Sequence, residues 1–335
     1  MNTPQNPFVP SAAFTRSTTP KRLERRLNWF GPCVALFAAL SVPWSQTAWA
    51  ANDTADNFTA TAANSALDTT TNWSTSALPT TTNDATFTAG TAYAGSFTLN
   101  TTALSLSTLD DLNGTALTIT GTKSITFNLG GTNVATGANG SDLLYVASGG
   151  SLTINDTGGL VFANTGNIDD AGTLSLGTSG VSISTGKTVT FTGAGATTVG
   201  GAIANTTGAV IVNDAGGSVT LSGNNLYTGG TTISGGTLKI GSATALGASA
   251  GNVSVTAGAV LDLNGTTMTN TNALTLNGTG ISSGGALTNS SATAGTYAGL
   301  VTLGSSGVSI GGTGLITLSN AGTIYGTSTG FGLTL

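Results

Sequence analysis

Two adjacent carboxylate pairs, Asp110-Asp111 and Asp169-Asp170, have the strongest claim to chemistry in this chain. Paired aspartates can divide acid and base work in glycoside cleavage, or lend oxygens to a weak Ca²⁺ site. Neighbours on a strand point to opposite faces, so neither pair is expected to converge on one substrate. The simpler reading is that each pair ends a strand. The calcium-binding nonapeptide pattern G-G-x-G-x-D is absent. Gly247-Ala248-Ser249-Ala250-Gly251 matches the nucleophile pattern G-x-S-x-G. The chain has no histidine to take the serine proton, so this stretch reads as a small-residue turn. Gly278-Thr279-Gly280 with Gly284 loosely matches a dinucleotide loop, but no helical periodicity follows it. Tyr227 and Tyr297 could serve as outward platforms for glycans, and are expected instead to pack at corners. The steps Thr86/Thr88, Thr118/Thr120, Thr188/Thr190 and Thr190/Thr192 are of the kind that line flat ice-binding faces. Their spacing along the chain is irregular, and outward Thr is expected on any exposed strand.

What is missing matters more. After Ala50 there is no His, Cys, Arg, Glu or Gln. General bases are most often His, and metal sites draw on His, Cys and carboxylates. No catalytic residue, no cofactor and no metal ligand is therefore expected, and the chain is read as structural or binding rather than enzymatic. The residues after Ala50 keep Lys123, Lys187 and Lys239 against twelve aspartates, a net −9. An Arg-free acidic surface excludes nucleic acid, which needs clustered cations to neutralise phosphates.

Residues 1–50 read as a secretory signal. Arg16, Lys21, Arg22, Arg25 and Arg26 form the basic region, an apolar run spans about Trp29 to Val42, and Ala48-Trp49-Ala50 supplies a cleavage site. Cys33, the sole cysteine, lies inside that run. No disulfide is expected after cleavage.

The elements that must position these residues are strands. The helix formers Glu, Gln and Arg are missing after Ala50, while Thr and Gly, which disfavour helix interiors, are abundant. Leu152-Thr153-Ile154, Leu174-Ser175-Leu176, Val181-Ser182-Ile183, Val189-Thr190-Phe191, Val219-Thr220-Leu221, Leu238-Lys239-Ile240, Val253-Ser254-Val255 and Leu274-Thr275-Leu276 alternate apolar with polar. That is the period-2 pattern of a strand with one buried face. A lead-in of small residue, Gly, small residue and aliphatic recurs at Gly150, Gly172, Gly217, Gly236 and Gly258. One unit is thus about 20 residues, with the long step from Gly172 to Gly217 taken as two units, which is a solenoid period. Three short strands and three turns fill such a unit, and successive coils stack at about 4.8 Å. A β-sandwich is the alternative, but its strands are usually longer. The expected architecture is all-β: a parallel β-helix over residues 86–335, preceded by an N-terminal cap at residues 51–85. The cap segment holds Trp73 and Pro79, the only Trp and Pro after the leader. Such an end exposes a strand edge that needs cover.

The segment Leu221-Ser222-Gly223-Asn224-Asn225-Leu226-Tyr227-Thr228-Gly229-Gly230-Thr231-Thr232-Ile233-Ser234-Gly235-Gly236-Thr237-Leu238 resembles the passenger-associated repeat of bacterial autotransporters. Ala245-Leu246-Gly247 and Gly258-Ala259-Val260-Leu261-Asp262-Leu263-Asn264-Gly265 extend the likeness, which covers about residues 216–265. Leu226 stands where that family commonly has a small polar residue. Asn72-Trp73, Pro79 and Asp84-Ala85-Thr86-Phe87 resemble the opening of large autotransporter-repeat proteins. Leu274 to Leu335 resembles repeats of filamentous-haemagglutinin-type surface proteins. The resemblance implies a right-handed β-helix, secreted or displayed at a Gram-negative outer membrane, with the repeat assisting passenger folding and export. It implies as partner an outer-membrane translocator not encoded in this chain, and a host or environmental surface or glycan as ligand. An adhesive rod is the leading expectation; a carbohydrate-active β-helix hydrolase or lyase is the alternative.

Overall fold

The computed structural model describes residues 56–60, 65–81, 83–88, 91, 93, 95–128, 141–177, 180–204 and 206–335. The leader read at residues 1–50 lies outside them. Every strand anticipated from alternation is present, and the strands stack in parallel as successive coils of a solenoid.

Each coil contributes one strand to a first face and one to a second. On the first face, strands such as Thr108–Asp111, Asp142–Val146, Gly166–Asp170, Thr188–Gly193 and Val253–Val255 follow one another in chain order. On the second face the matching strands include Ala116–Gly121, Ser151–Asp156, Thr173–Leu176, Ala196–Val199 and Val260–Asp262. Ala209–Leu221 and Thr231–Ile240 run through the corner and serve both faces.

The register explains the stability. Ala85, Leu109, Leu144, Ile168, Phe191, Val212, Ile233, Val255, Leu276 and Leu303 are Cα partners in turn, and all are buried. A second column runs through Phe97, Ile119, Ile154, Leu176, Val199, Leu221 and Ile240. Each full burial of such a side chain is worth about 1.5–3 kcal/mol. Parallel pairing also satisfies the backbone of each coil with that of the next. The unit inferred from the lead-in glycines is confirmed, including the double step: Thr173 pairs with Ala196 and Ala196 with Ser218, so Gly195 supplies the missing lead-in between Gly172 and Gly217.

The third side corrects one expectation. Strands Leu104–Leu106, Ile125–Phe127, Leu160–Phe162 and Val181–Ile183 line it early, and Gly295–Tyr297 pairs with Ile316–Leu318 late. Between Ile203 and Met268 no third-side strand is assigned among the described residues. Side-chain hydrogen bonds take over there, as described below.

In the segment read as a cap, Asp56–Asn57 and Ser65–Ala66 pair in parallel with Asp84–Phe87 and Ser96–Leu99. Phe58 forms an antiparallel bridge with Trp73, whose Nε1 donates to Leu67 O at 2.8 Å. Phe58 packs on Trp73, Phe87 and Phe97 with ring centroids 5.0–5.4 Å apart. Aromatic rings carry a large hydrophobic contribution, which lets two very short strand pairs hold this first coil.

Candidate functional site

The chemistry-bearing residues fall into three places in the coil stack, and their placement follows from strand alternation. The aspartate pairs close first-face strands, at the ends of Thr108–Asp111 and Gly166–Asp170. Asp111 follows Leu109 on the core side, and Asp170 follows Ile168. Asp110 and Asp169 therefore lie on the opposite face, where they flank Tyr145 in three successive coils. Burial raises the Tyr145 phenol, and the charges of Asp169, Asp110 and Asp142 raise it further. The two members of each pair do not converge. Among the described residues no cluster of three or more His, Cys, Asp or Glu could hold a metal ion.

The core-side aspartates form a set that sequence reasoning did not separate from the pairs. Asp111 accepts the Asn113 amide at 3.0 Å, and Asp170 accepts the Gly172 amide at 2.9 Å and the Thr197 hydroxyl at 3.0 Å. Asp214 occupies the same corner two coils beyond Asp170, after the buried Val212. Burial pushes Asp111 up to about 6, against the Asn113 hydrogen bond. Burial, then the Asp170 and Asp169 charges, pushes Asp214 up to about 6 as well. The signal was available: an Asp at a position that alternation assigns to the core.

The repeat region is built around Asn225 and Tyr227. Both are fully buried, whereas Leu226 between them is 54% exposed. Leu226 thus occupies an outward position, which explains why a small polar residue is usual there. Asn225 Oδ1 accepts the Ile203 amide of the preceding coil at 2.8 Å, and Asn225 Nδ2 donates to Ala245 O of the following coil at 2.6 Å. One carboxamide therefore bridges three coils where no third-side strand exists. The Tyr227 hydroxyl lies 2.6 Å from Thr231 Oγ1. Asn272 acts similarly further on, donating to Ala248 O at 2.7 Å and Gly251 O at 2.8 Å, while Tyr297 donates to Asn272 O at 3.0 Å. Tyr227 and Tyr297 are both buried, as corner packing requires, and present no ring to a glycan.

Ser249 lies exposed in a turn, and its Oγ accepts the Thr271 amide at 3.0 Å. It pins one coil to the next, with no base beside it in a chain that lacks histidine. Gly280 precedes a single 3-10 turn, Ile281–Ser283, so the dinucleotide-like glycines open no long helix.

The outward side of the second face carries the Thr and Ser expected on an exposed strand, in a register that spacing along the chain does not display. Ser96, Thr118, Thr153, Ser175, Thr198 and Thr220 are Cα partners in six successive coils. Alongside run Ala116, Ser151, Thr173, Ala196, Ser218 and Thr237. Unequal coil lengths hide this array in the sequence, because strand pairing sets the register and spacing along the chain does not. Lys239 ends it, pairing with Thr220 on one side and Asp262 on the other. The array is uncharged and hydroxyl-rich, with about 4.8 Å between rows. A shallow concavity of about 370 Å³ lies beside the repeat, lined by Thr188, Ile211, Thr228, Thr232, Asn252 and Ser254 among others, with no charged group.

In comparison with known protein families, residues 216–240 fit the family described as the passenger-associated-transport-repeat. These residues include the end of the strand Ala209–Leu221, the Asn225–Tyr227 bridge and the whole of Thr231–Ile240. No curated protein matches the chain. No solved structure matches it either, and the haemagglutinin-like resemblance of the last coils has no counterpart among the matches.

Proposed function

We propose, from the passenger-associated-transport-repeat at residues 216–240, that this chain is a secreted or surface-displayed autotransporter-type passenger of a Gram-negative bacterium. It works as a stiff rod that carries a contact surface away from the cell. The observation that carries this reading is the repeat's position: it is continuous in register with the coils on both sides. A solenoid of this kind propagates structure from coil to coil. A segment whose side chains bond both neighbours suits the role of assisting passenger folding during export. The leader at residues 1–50, the cap at 51–85 and the β-helix at 86–335 belong to the same reading. So do right-handed coiling and an outer-membrane translocator as partner.

The adhesive surface in this reading is the hydroxyl array of the second face. It offers donors and acceptors at a regular spacing with no charge to repel a neutral host surface or glycan. The test is display and attachment. Cells carrying the chain with its translocator should expose it to external protease and bind the surface, and deletion of residues 221–240 should block its appearance outside. Retention of the intact chain inside the cell would sink the proposal.

A carbohydrate-active enzyme is the second reading, and its best support is Asp110 and Asp169 flanking Tyr145. Hydrolase or lyase turnover by the purified chain, lost on Asp110→Asn, would favour it over the rod.

A further inference from the structure

The corner between the first and second faces carries aspartates where a solenoid core would ordinarily carry aliphatics. Down this column Phe87, Asp111, Val146, Asp170 and Gly193 are successive Cα partners. Asp214 takes the equivalent core-side place one coil after Gly193. Carboxylate and neutral residue alternate, so charges recur every second coil inside an otherwise apolar stack.

Asp111 and Asp214 are fully or nearly fully buried, and each has an oxygen without a hydrogen-bond partner: Asp111 Oδ2 and Asp214 Oδ1. A carboxylate can only accept hydrogen bonds, so while the group is charged each orphan oxygen is bare in the core. A Cβ placed on Gly217 would collide at once with both Asp214 oxygens and with Gly195 O. A Cβ on Gly150 would lie 3.0 Å from Ala147 O and 3.5 Å from Asp111 Oδ2. The glycines thus leave each carboxyl just enough room, and a buried carboxyl with a bare oxygen is less costly when it carries a proton.

Among the described residues no cation is placed to relieve them. The strands against Asp111, Asp84–Phe87 and Asp142–Val146, offer Asp84, Asp142 and Tyr145 as titratable groups. The strands around Asp214 offer Asp169 and Asp170, while Thr188–Gly193 and Ala196–Val199 offer none. On the second face, Ala116–Gly121 and Thr173–Leu176 carry no titratable group, and Asp156 closes Ser151–Asp156 at its far end. Lys239 lies beyond the corner on the outward side, beside Asp262. Lys187 precedes its strand at the end away from the corner, and Lys123 follows a second-face strand.

We propose that Asp111 and Asp214 are carried as neutral carboxylic acids in the folded chain, because each is buried with an unpartnered oxygen and no cation beside it among the described residues, so that proton uptake stabilises the solenoid. An unfolded aspartate ionises at its ordinary value, so folding at mildly acid pH binds protons from solvent. Both folded values are raised to about 6. The stabilisation is therefore fully present below the ordinary carboxylate range and is lost as pH rises through 6. The rod is firmest in mildly acid surroundings and loosens towards alkaline pH.

The test is equilibrium unfolding of the full chain in urea from about pH 5 to about pH 8. With values near 6, each carboxyl lowers the folding constant about tenfold over that range, or about 100-fold for the two. Asp214→Asn keeps the shape and a donor without a titrating proton, and should remove about tenfold of that fall. A flat or rising profile, or an unchanged slope in the double variant Asp111→Asn/Asp214→Asn, overturns the proposal. Should the variants fail to fold, the side-chain carboxyl resonances of the wild-type chain decide. Two aspartates titrating near 6 support the proposal, and all of them titrating in the ordinary range refutes it.

Discussion

The hydroxyl of Tyr227 sits 2.6 Å from Oγ1 of Thr231, four residues later, and both side chains are buried within the same coil. This bond turns the chain from the strandless third side into the first-face strand Thr231–Ile240. Burial raises the Tyr227 phenol far above its ordinary value, so the group stays neutral at any physiological pH. Tyr227→Phe keeps the packing but leaves the Thr231 hydroxyl unpaired, and should cost about 1–3 kcal/mol. Tyr227→Ala also opens a cavity and should cost about 3–5 kcal/mol. Urea unfolding midpoints of the two variants check the order; equal losses would contradict it.

Asn225 substitutes for a strand, and its removal should be felt in the neighbouring coils. Asn225→Ala strips partners from the Ile203 amide and the Ala245 carbonyl, at about 1–3 kcal/mol for each buried group left unsatisfied. Amide exchange at Ile203 should accelerate, while exchange at Ile154, two coils away, should not. Protection at Ile203 equal to wild type would show that the carboxamide does not hold that coil.

Two lead-in glycines should behave differently. Gly236 has φ +70°, and a Cβ there collides with the Asp214 carbonyl. Gly258 has φ +86°, with open space around it. Gly258→Ala should cost about 1 kcal/mol of backbone strain. Gly236→Ala adds a clash with the neighbouring coil's backbone and should cost about 3 kcal/mol or more. Thermal melts of both variants test this, and equal melting temperatures would show that coil spacing there is looser than described.

Much of this architecture is legible in the sequence because a solenoid repeats its instructions. Leu174-Ser175-Leu176 and Val253-Ser254-Val255 announce both strand and face, and Gly172, Gly217 and Gly236 announce the coil length. The hydroxyl array was hidden because it depends on register, not on spacing. Thr118 and Thr153 are neighbours in space although they are 35 residues apart in the chain (153 − 118). The third side misled for a related reason: Asn225 satisfies backbone groups through its side chain, and alternation reports only strands. Asp111 and Asp170 stood at core positions throughout, but adjacent Asp110 and Asp169 made them read as polar strand ends, and Asp214, which has no carboxylate neighbour, drew no reading at all.

The outward array predicts a separation of stability from attachment. Thr198 is exposed at its centre. Thr198→Lys should shift unfolding by no more than about 0.5 kcal/mol, as a surface change does, and should weaken attachment to a neutral hydroxylated surface. Undiminished attachment would move the contact surface elsewhere on the rod.

The stack of coils in this register is the claim on which the rest depends, and paired cysteines test it most directly. Ser175 and Thr198 are Cα partners in adjacent coils, and Thr198 and Thr220 in the next pair. Adjacent coils lie about 4.8 Å apart, inside the Cα separation a disulfide accepts, and coils two steps apart lie well outside it. In a Cys33→Ser background, Ser175→Cys/Thr198→Cys should oxidise readily to an intramolecular disulfide, and Ser175→Cys/Thr220→Cys should stay reduced. The reverse pattern, or no bond in either variant, would contradict the stacked solenoid.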